Sequence, residues 1–404
     1  MATQTGYKAS ELGMIPLDWD IVEFEEICQI RKQKVNPLFQ SGEFCVELEH
    51  LEPETGLLLG NTVTKPNSSI KTVFQNGDVL FGKLRAYLRK YWLANQDGVC
   101  STEIWAFVAT NKAINPFLFY VVQTEQFIKA ASEAYGTHMP RSDWNVVKNY
   151  LLPLPPLPEQ TAIATALSDT DALISSLQTL IAKKQAVKLA AMQNLLSGKI
   201  RLPAFAQRPD GSLKTTRQTE LGCVPEDWEV LELGSVAFIK TGSKNNQDKK
   251  ENGQYPFFVR SATVEQIDTY SYDCEAILIP GEGNIGSIFH YINGKFDAHQ
   301  RVYVIRDFYN VIGKFVFFAL KQNFGKHAME NTVKATVDSL RLPTFQNFKF
   351  AIPKSTTEQT AIAQLLSDMD AEIEALEGRL KKTQSLKQGM MQTLLTGKIR
   401  LPLE

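Results

Sequence analysis

The chain carries one long stretch twice. Residues 159–203 read EQTAIATALSDTDALISSLQTLIAKKQAVKLAAMQNLLSGKIRLP, and residues 358–402 read EQTAIAQLLSDMDAEIEALEGRLKKTQSLKQGMMQTLLTGKIRLP. At a constant offset of 199 the two agree at 26 of 45 positions without a gap, opening on the same EQTAIA and closing on the same GKIRLP. A match of this length means that one architectural unit is used twice.

Both copies have helical spacing. Ile163, Leu167, Thr170, Ile174, Leu177, Ile181, Lys184, Lys188, Ala191 and Leu195 step by four and three, as do Ile362, Leu366, Met369, Ile373, Leu376, Leu380, Thr383, Lys387, Met390 and Leu394. This is a heptad seam, apolar at first and more polar toward its end. Pro158 marks one start and the capping box Ser355-x-x-Glu358 the other, while Gly198 and Gly397 are stops. A long helix with one apolar stripe needs a partner, and its equal-length copy fits.

A shorter repeat precedes each helix. Glu11-Leu12-Gly13-x-x-Pro16-x-Asp18-Trp19 returns as Glu220-Leu221-Gly222-x-x-Pro225-x-Asp227-Trp228, at an offset of 209. The chain is thus a tandem of motif, variable domain, helix and GKIRLP. The variable domains run from Trp19 to about Leu157 and from Trp228 to about Thr356. They contain β-like runs such as 78–81, 104–108, 276–279 and 302–305, and one helical candidate each, Pro116–Ala131 and Val311–Phe324. Each is long enough for its own core. The predicted division is 1–158, helix 159–203, linker 204–219, 220–357, and helix 358–404.

No apolar run reaches transmembrane length, and the N-terminus lacks the order of a signal peptide, so a cytoplasmic protein is expected. The five cysteines are scattered without a CxxC, which argues against a disulfide framework or zinc site. HExxH, Walker A and GxSxG are absent, as is an Asn-Pro-Pro-Tyr-like methyl-transfer motif. Catalysis and a cofactor are therefore not expected. Gly281-x-Gly283-x-x-Gly286 matches a dinucleotide fingerprint, but Ser287–Ile292 after it reads as strand rather than a helix N-terminus. A turn between strands fits better than the rival reading, a nucleotide-dependent enzyme. A third reading is a protein-binding coiled-coil scaffold.

The tandem frame, the EQ-initiated helices and the GKIRLP endings resemble the specificity subunit of a type I restriction–modification system. Similar phrases appear at Gly77–Arg85, Cys100–Glu103, His138–Arg141 and Leu154–Gln160. The resemblance covers nearly the whole chain. It implies an α+β fold: two α/β target-recognition domains held apart by two long helices in an antiparallel coiled coil, with pseudo-twofold symmetry. It also implies a non-catalytic subunit that reads a split double-stranded DNA site and carries two methyltransferase and two restriction subunits.

Net charge is −1, so any basic surface for DNA has to be local. In the first domain the candidates are Lys83, Arg85, Arg89, Lys90, His138 and Arg141, interleaved with Tyr87, Tyr91 and Trp92. In the second they are Lys244, Asn245, Asn246, Arg260, Ser261, His299, Arg301 and Lys334. Lysines and arginines hold phosphates, while Arg and Asn also read base edges. For partner binding the repeated residues Gln160, Lys199 and Arg201 and their copies Gln359, Lys398 and Arg400 are the candidates. On this reading, changing Arg201 and Arg400 weakens assembly without unfolding the protein.

Overall fold

The computed structural model describes residues 6–36, 42–65, 69–133, 140–331 and 339–402. The chain forms two compact units, Met1–Gln178 with Gly378–Glu404, and Thr179–Glu377. The division falls within the two long helices, Leu157–Leu195 and Thr356–Leu394, which are each 39 residues long. Every residue of the predicted seam is buried or half-buried.

Within each unit the early part of one helix pairs with the late part of the other. In the first unit Thr170 meets Met390, and Asp171 binds Lys387 at 2.7 Å. In the second, Lys184 binds Glu372 at 2.6 Å and Lys188 binds Asp370. Residue numbers rise on one helix as they fall on the other, so the pairing is antiparallel. The polar tail of the seam is thereby explained: Lys188 and Lys387 occupy core-facing positions because each has an aspartate opposite, and a buried polar pair is a register device.

The first unit holds two sheets of more than two strands. A four-stranded antiparallel sheet runs in the order Tyr91–Leu93, Val79–Gly82, Ile104–Ala109, Cys28–Ile30. A five-stranded sheet runs Lys34–Val35, Lys71–Phe74, Gly98–Ser101, Phe44–Val46, Thr62–Val63, with one parallel pairing. Tyr91 packs into a core with Phe81, Phe107 and Ile163, while Trp92 packs into another with Phe74 and Leu80. The second unit is built on one six-stranded sheet, Phe238–Thr241, Val302–Arg306, Tyr272–Pro280, His290–Ala298, Tyr255–Phe258, Glu265–Ile267.

Both units open and close alike. A hairpin, Tyr7–Ser10 with Gly13–Pro16 or Thr216–Thr219 with Gly222–Pro225, begins each. A strand pair then ties the entry to the exit: Asp20–Glu23 with Leu151–Leu154, and Trp228–Glu232 with Lys349–Pro353. The exit strand leads within a few residues into a long helix.

Two expected elements differ. Pro116–Ala131 is two helices, Asn115–Val121 and Glu125–Ser132, because the Thr124 hydroxyl accepts from the Phe127 N–H and caps the second at its start. The candidate at Val311–Phe324 extends instead from Gly313 to Glu330. The glycine motif at 281–286 connects strands Tyr272–Pro280 and His290–Ala298, which pair antiparallel, so no helix N-terminus follows it. Gly286, at φ +69°, lies where a Cβ would approach the Cα of Gly325 at 2.8 Å, so its role is close packing. Among the described residues, no helix is long and apolar enough to cross a membrane.

Candidate nucleic-acid interface

Each unit contains a frame made from the three repeated motifs. In the first unit Arg400 donates to Glu159 at 2.7 and 3.0 Å and to both oxygens of Asp18 at 2.8 Å. The Trp19 indole N–H donates to Glu159 at 2.9 Å. A Cβ on Gly397 would stand 2.5 Å from the Pro16 ring, and its φ of +70° also favours glycine. In the second unit Arg201 binds both carboxylate oxygens of Glu358, and Asp227 at 2.6 and 3.1 Å. Gly198 lies against Pro225 in the same way. The GKIRLP that follows one helix thus locks the motif and the EQ that begin the other.

The structure gives four of the partner-binding candidates internal contacts. Gln160 and Gln359 are buried. Gln160 accepts from Ile114 N–H at 3.1 Å and donates to Lys112 and Pro155 carbonyls, and Gln359 does the same with Ile312 N–H and Pro353 O, both at 2.8 Å. Arg201 is 8% exposed, and Arg400, at 36%, is tied to two carboxylates. These four side chains fasten each domain to its helix. Replacing both arginines removes internal ion pairs, so a loss of stability is expected. Lys199 and Lys398 stay exposed beside Ile200 and Ile399. The capping box at Ser355 is half as expected: its hydroxyl accepts from Glu358 N–H at 3.4 Å, while the Glu358 carboxylate goes to Arg201.

The frame's ionisation follows its contacts. Hydrogen bonds from Arg400 hold the Asp18 carboxyl below its ordinary value. Burial alone pushes Asp227 up, but the bonds from Arg201 and Lys214 outweigh it and the net shift is downward.

In the first unit three sequence-distant segments meet. Leu84 bridges Arg141, Arg85 N–H donates to Pro140 O at 2.8 Å, and Lys83 N–H donates to Glu103 O at 3.0 Å. Arg141 Nε donates to the Glu103 carboxylate at 2.9 Å. Backbone pairing therefore brings Lys83, Arg85 and Arg141 into neighbouring segments, with the Arg141 side chain on the Glu103 carboxylate. Arg85 and Arg89 bracket the turn Ala86–Leu88 in left-handed backbone, at φ +54° and +51°. A non-glycine residue there costs about 1–2 kcal/mol, and strain of this kind gathers at functional sites. Arg89 pairs with Glu125, and Lys90 turns inward to Leu48 O at 2.7 Å. Of the aromatics, Tyr87 is exposed, whereas Tyr91 and Trp92 belong to the cores on the two faces of their sheet and cannot stack on bases. His138 lies outside the described residues.

In the second unit Lys244 bridges His299, Gln300 donates to the Asn245 side chain at 2.6 Å, and Lys244 lies 3.8 Å from buried Asp297. Arg260 and Arg301 share the Glu282 carboxylate, at 3.5 and 3.1 Å. A cleft of about 410 Å³ is lined by Asn246, Lys249, Arg260, Ser261, Glu265 and Gly283. His299 is buried and its Nδ1 accepts the Arg301 N–H at 3.0 Å, which leaves Nε2 to carry the proton. Burial, with the charges of Arg260 and Arg301, holds its pKa below the ordinary imidazole value. Lys334 lies outside the described residues. The carboxylates Glu103 and Glu282 were not among the sequence candidates, although Glu103 closes the phrase Cys100–Glu103 and Glu282 sits inside the glycine motif.

The chain is similar to known proteins in sequence and in fold. The model for the type I restriction modification DNA specificity domain matches residues 16–186 and again 225–384. The chain is 34% identical over 175 residues to the type I restriction enzyme EcoDI specificity subunit of Escherichia coli, a match covering 43% of this chain and 38% of that protein. It is 26% identical over 422 residues to the MjaVIII specificity subunit of Methanocaldococcus jannaschii, covering 96% and 94%. The crystal structure of the type I restriction–modification S subunit from M. genitalium superimposes with a TM-score of 0.65 at 16% identity over 98% of each chain, a likeness of fold. With the family's domain present once in each half of its tandem, the chain belongs to the type I restriction–modification specificity subunits, whose task is recognition of DNA rather than catalysis.

Proposed function

We propose that this chain reads an interrupted double-stranded DNA sequence, with residues 1–158 and 220–357 each recognising one part and 204–219 as linker. Helices 159–203 and 358–404 serve as the spacer. Two methyltransferase subunits, and then two restriction subunits, assemble on it, and Lys199 and Lys398 with the neighbouring isoleucines offer two equivalent contacts. The observation that carries this reading is the pairing of a repeated frame with unrelated loops. The same Arg–Glu–Asp lock closes both units, yet one displays Lys83, Arg85 and Arg141 and the other Arg260, Arg301 and Asn246. A frame kept while its loops diverge suits two different sequences read by equivalent machinery. With a net charge of −1, the lone chain is expected to bind weakly and with a shallow salt slope, steepening when the partners add phosphate contacts.

The test is a binding selection from random duplexes with the methyltransferase subunits present. A split motif with a fixed unread spacer is expected, and a contiguous motif or no enrichment removes the reading. Inserting one heptad after Leu177 and one after Leu376 then adds roughly 10 Å to each helix at about 1.5 Å per residue. The bases at each end should stay the same while the spacer grows by up to about three pairs, at about 3.4 Å each.

A further inference from the structure

Glu282 occupies an unusual place in the second unit's loop cluster. Its backbone is pinned on both sides. Gly281 N–H donates to Arg301 O and Leu340 N–H donates to Gly281 O, both at 2.8 Å, and Glu282 itself forms an antiparallel bridge with Ser339. The glycine before it admits no side chain, because a Cβ on Gly281 would meet the Tyr303 ring at 2.8 Å. The backbone that carries the carboxylate is therefore fixed. Its two oxygens go to two different guanidiniums, Oε1 to Arg301 and Oε2 to Arg260. The carboxylate is 21% exposed and the two arginines 46% and 58%, so the acid lies under the pair it holds. His299, between the same arginines, is buried and uses Nδ1 on the Arg301 backbone. Without the carboxylate, two like charges would splay apart, each carrying the full rotamer freedom of an arginine side chain.

We infer that Glu282 is a positioning residue for DNA discrimination: it sets Arg260 and Arg301 as a fixed pair and opposes their engagement by phosphates of wrongly placed DNA. This rests on the DNA-reading function proposed above. The physical reasoning has two parts. A preset pair loses less freedom on meeting a base edge in the right geometry, which favours the cognate duplex. A carboxylate beneath the pair must be offset by well-placed contacts, and a phosphate backbone without them meets an uncompensated negative charge, which disfavours other duplexes.

The experiment uses the full chain with methyltransferase subunits, the duplex enriched by selection, and a scrambled duplex of equal length. E282Q keeps shape and removes charge. It should bind the scrambled duplex several-fold more tightly, with a salt slope steeper by about one unit, as expected when one more phosphate is neutralised. Its preference for the selected duplex should fall about tenfold. E232Q is the control, because Glu232 is an exposed carboxylate of the same unit that pairs with Lys349 and does not line the cleft; it should leave the preference unchanged. E282D keeps the charge and shortens its reach, and a smaller loss of preference is expected. If E282Q does not fold, E282D decides: a folded E282D with wild-type preference overturns the inference. Equal loss on both duplexes in E282Q, or the same change in E232Q, also overturns it. A wild-type complex that enriches no duplex removes the DNA reading itself, a distinct result from enrichment with unaltered variants.

Discussion

The two locks that close the units use the same residues and distribute their bonds differently. In the first, Glu159 takes two donors, the Arg400 guanidinium and the Trp19 indole, and Arg400 remains 36% exposed. In the second, Arg201 is 8% exposed and holds Glu358, whose side chain is 1% exposed, while the Trp228 indole N–H is buried without a partner. Asp227 in turn gains Lys214 at 2.8 Å. The seam shows a matching divergence. Asp171 receives both Lys387 and the Tyr120 hydroxyl at 3.0 Å, but Asp370 receives Lys188, with Phe318 nearby. What is repeated, then, is the set of partners and not the balance of bonds. The first lock spreads its load over an indole and a guanidinium, and the second concentrates it on one buried arginine.

That difference is best broken at the arginines. Arg201→Met leaves the Glu358 carboxylate buried without its cation, which costs about 3–5 kcal/mol in comparable sites. Arg400→Met leaves Glu159 its indole donor and returns the half-exposed Asp18 to water, so the loss should be roughly half as large. Denaturant unfolding of the two variants measures both. Equal losses would mean that the indole bond and the exposure of Arg400 do not matter.

The indoles sharpen the comparison from the other side. Trp19→Phe removes a donor from a buried carboxylate, whereas Trp228→Phe removes an N–H that has no partner. Both substitutions shrink a fully buried ring by a similar volume, so the cavity cost cancels between them. Trp19→Phe should be the more destabilising by about 1.5–3 kcal/mol, the contribution of a hydrogen bond to a charged group. Thermal melts compare them directly, and a Trp228→Phe loss as large as that of Trp19→Phe would contradict the assignment of the bond.

Much of this was legible in the sequence, for physical reasons. The seam showed itself because step spacing of four and three survives even where Lys188 and Lys387 replace apolar residues. Strands such as Ile104–Ala109 and Tyr272–Pro280 stood out as apolar runs between turns. The break at Thr124 was hidden, since a threonine inside an apolar helical run looks like any other until its hydroxyl caps a neighbour. The site was half legible. Lys83, Arg85 and Arg141 gather because strand pairing brings residues far apart in the chain side by side, and adjacency in sequence could only suggest part of it. Tyr91 and Trp92 misled because alternation usually exposes one face, and here each face meets a core. The internal partners of Arg201 and Arg400 were hidden because repetition marks a residue without saying what it faces. A signal was available: Asp18 and Asp227, and Glu159 and Glu358, repeat in step with the arginines, and matched repeated charges point to an internal lock.

The smallest expected effect concerns acid. Asp227 has a cation that Asp18 lacks, Lys214, and both carboxyls titrate below their ordinary range in the folded chain. A depressed carboxyl contributes stability that is complete above the unfolded value, near 3.9 for aspartate, and is lost as pH falls through the lower folded value. Lys214→Met should therefore cost stability above about pH 4, within about 1 kcal/mol as for partly exposed ion pairs. The gap from wild type should narrow as the pH falls below about 4 and close as it passes the lower folded value of Asp227. Melting curves of the wild type and the variant between about pH 3 and pH 6 measure this. A gap that stays constant over that range would mean that Lys214 acts through packing and not through the Asp227 charge, and the second lock would then be as simple electrostatically as the first.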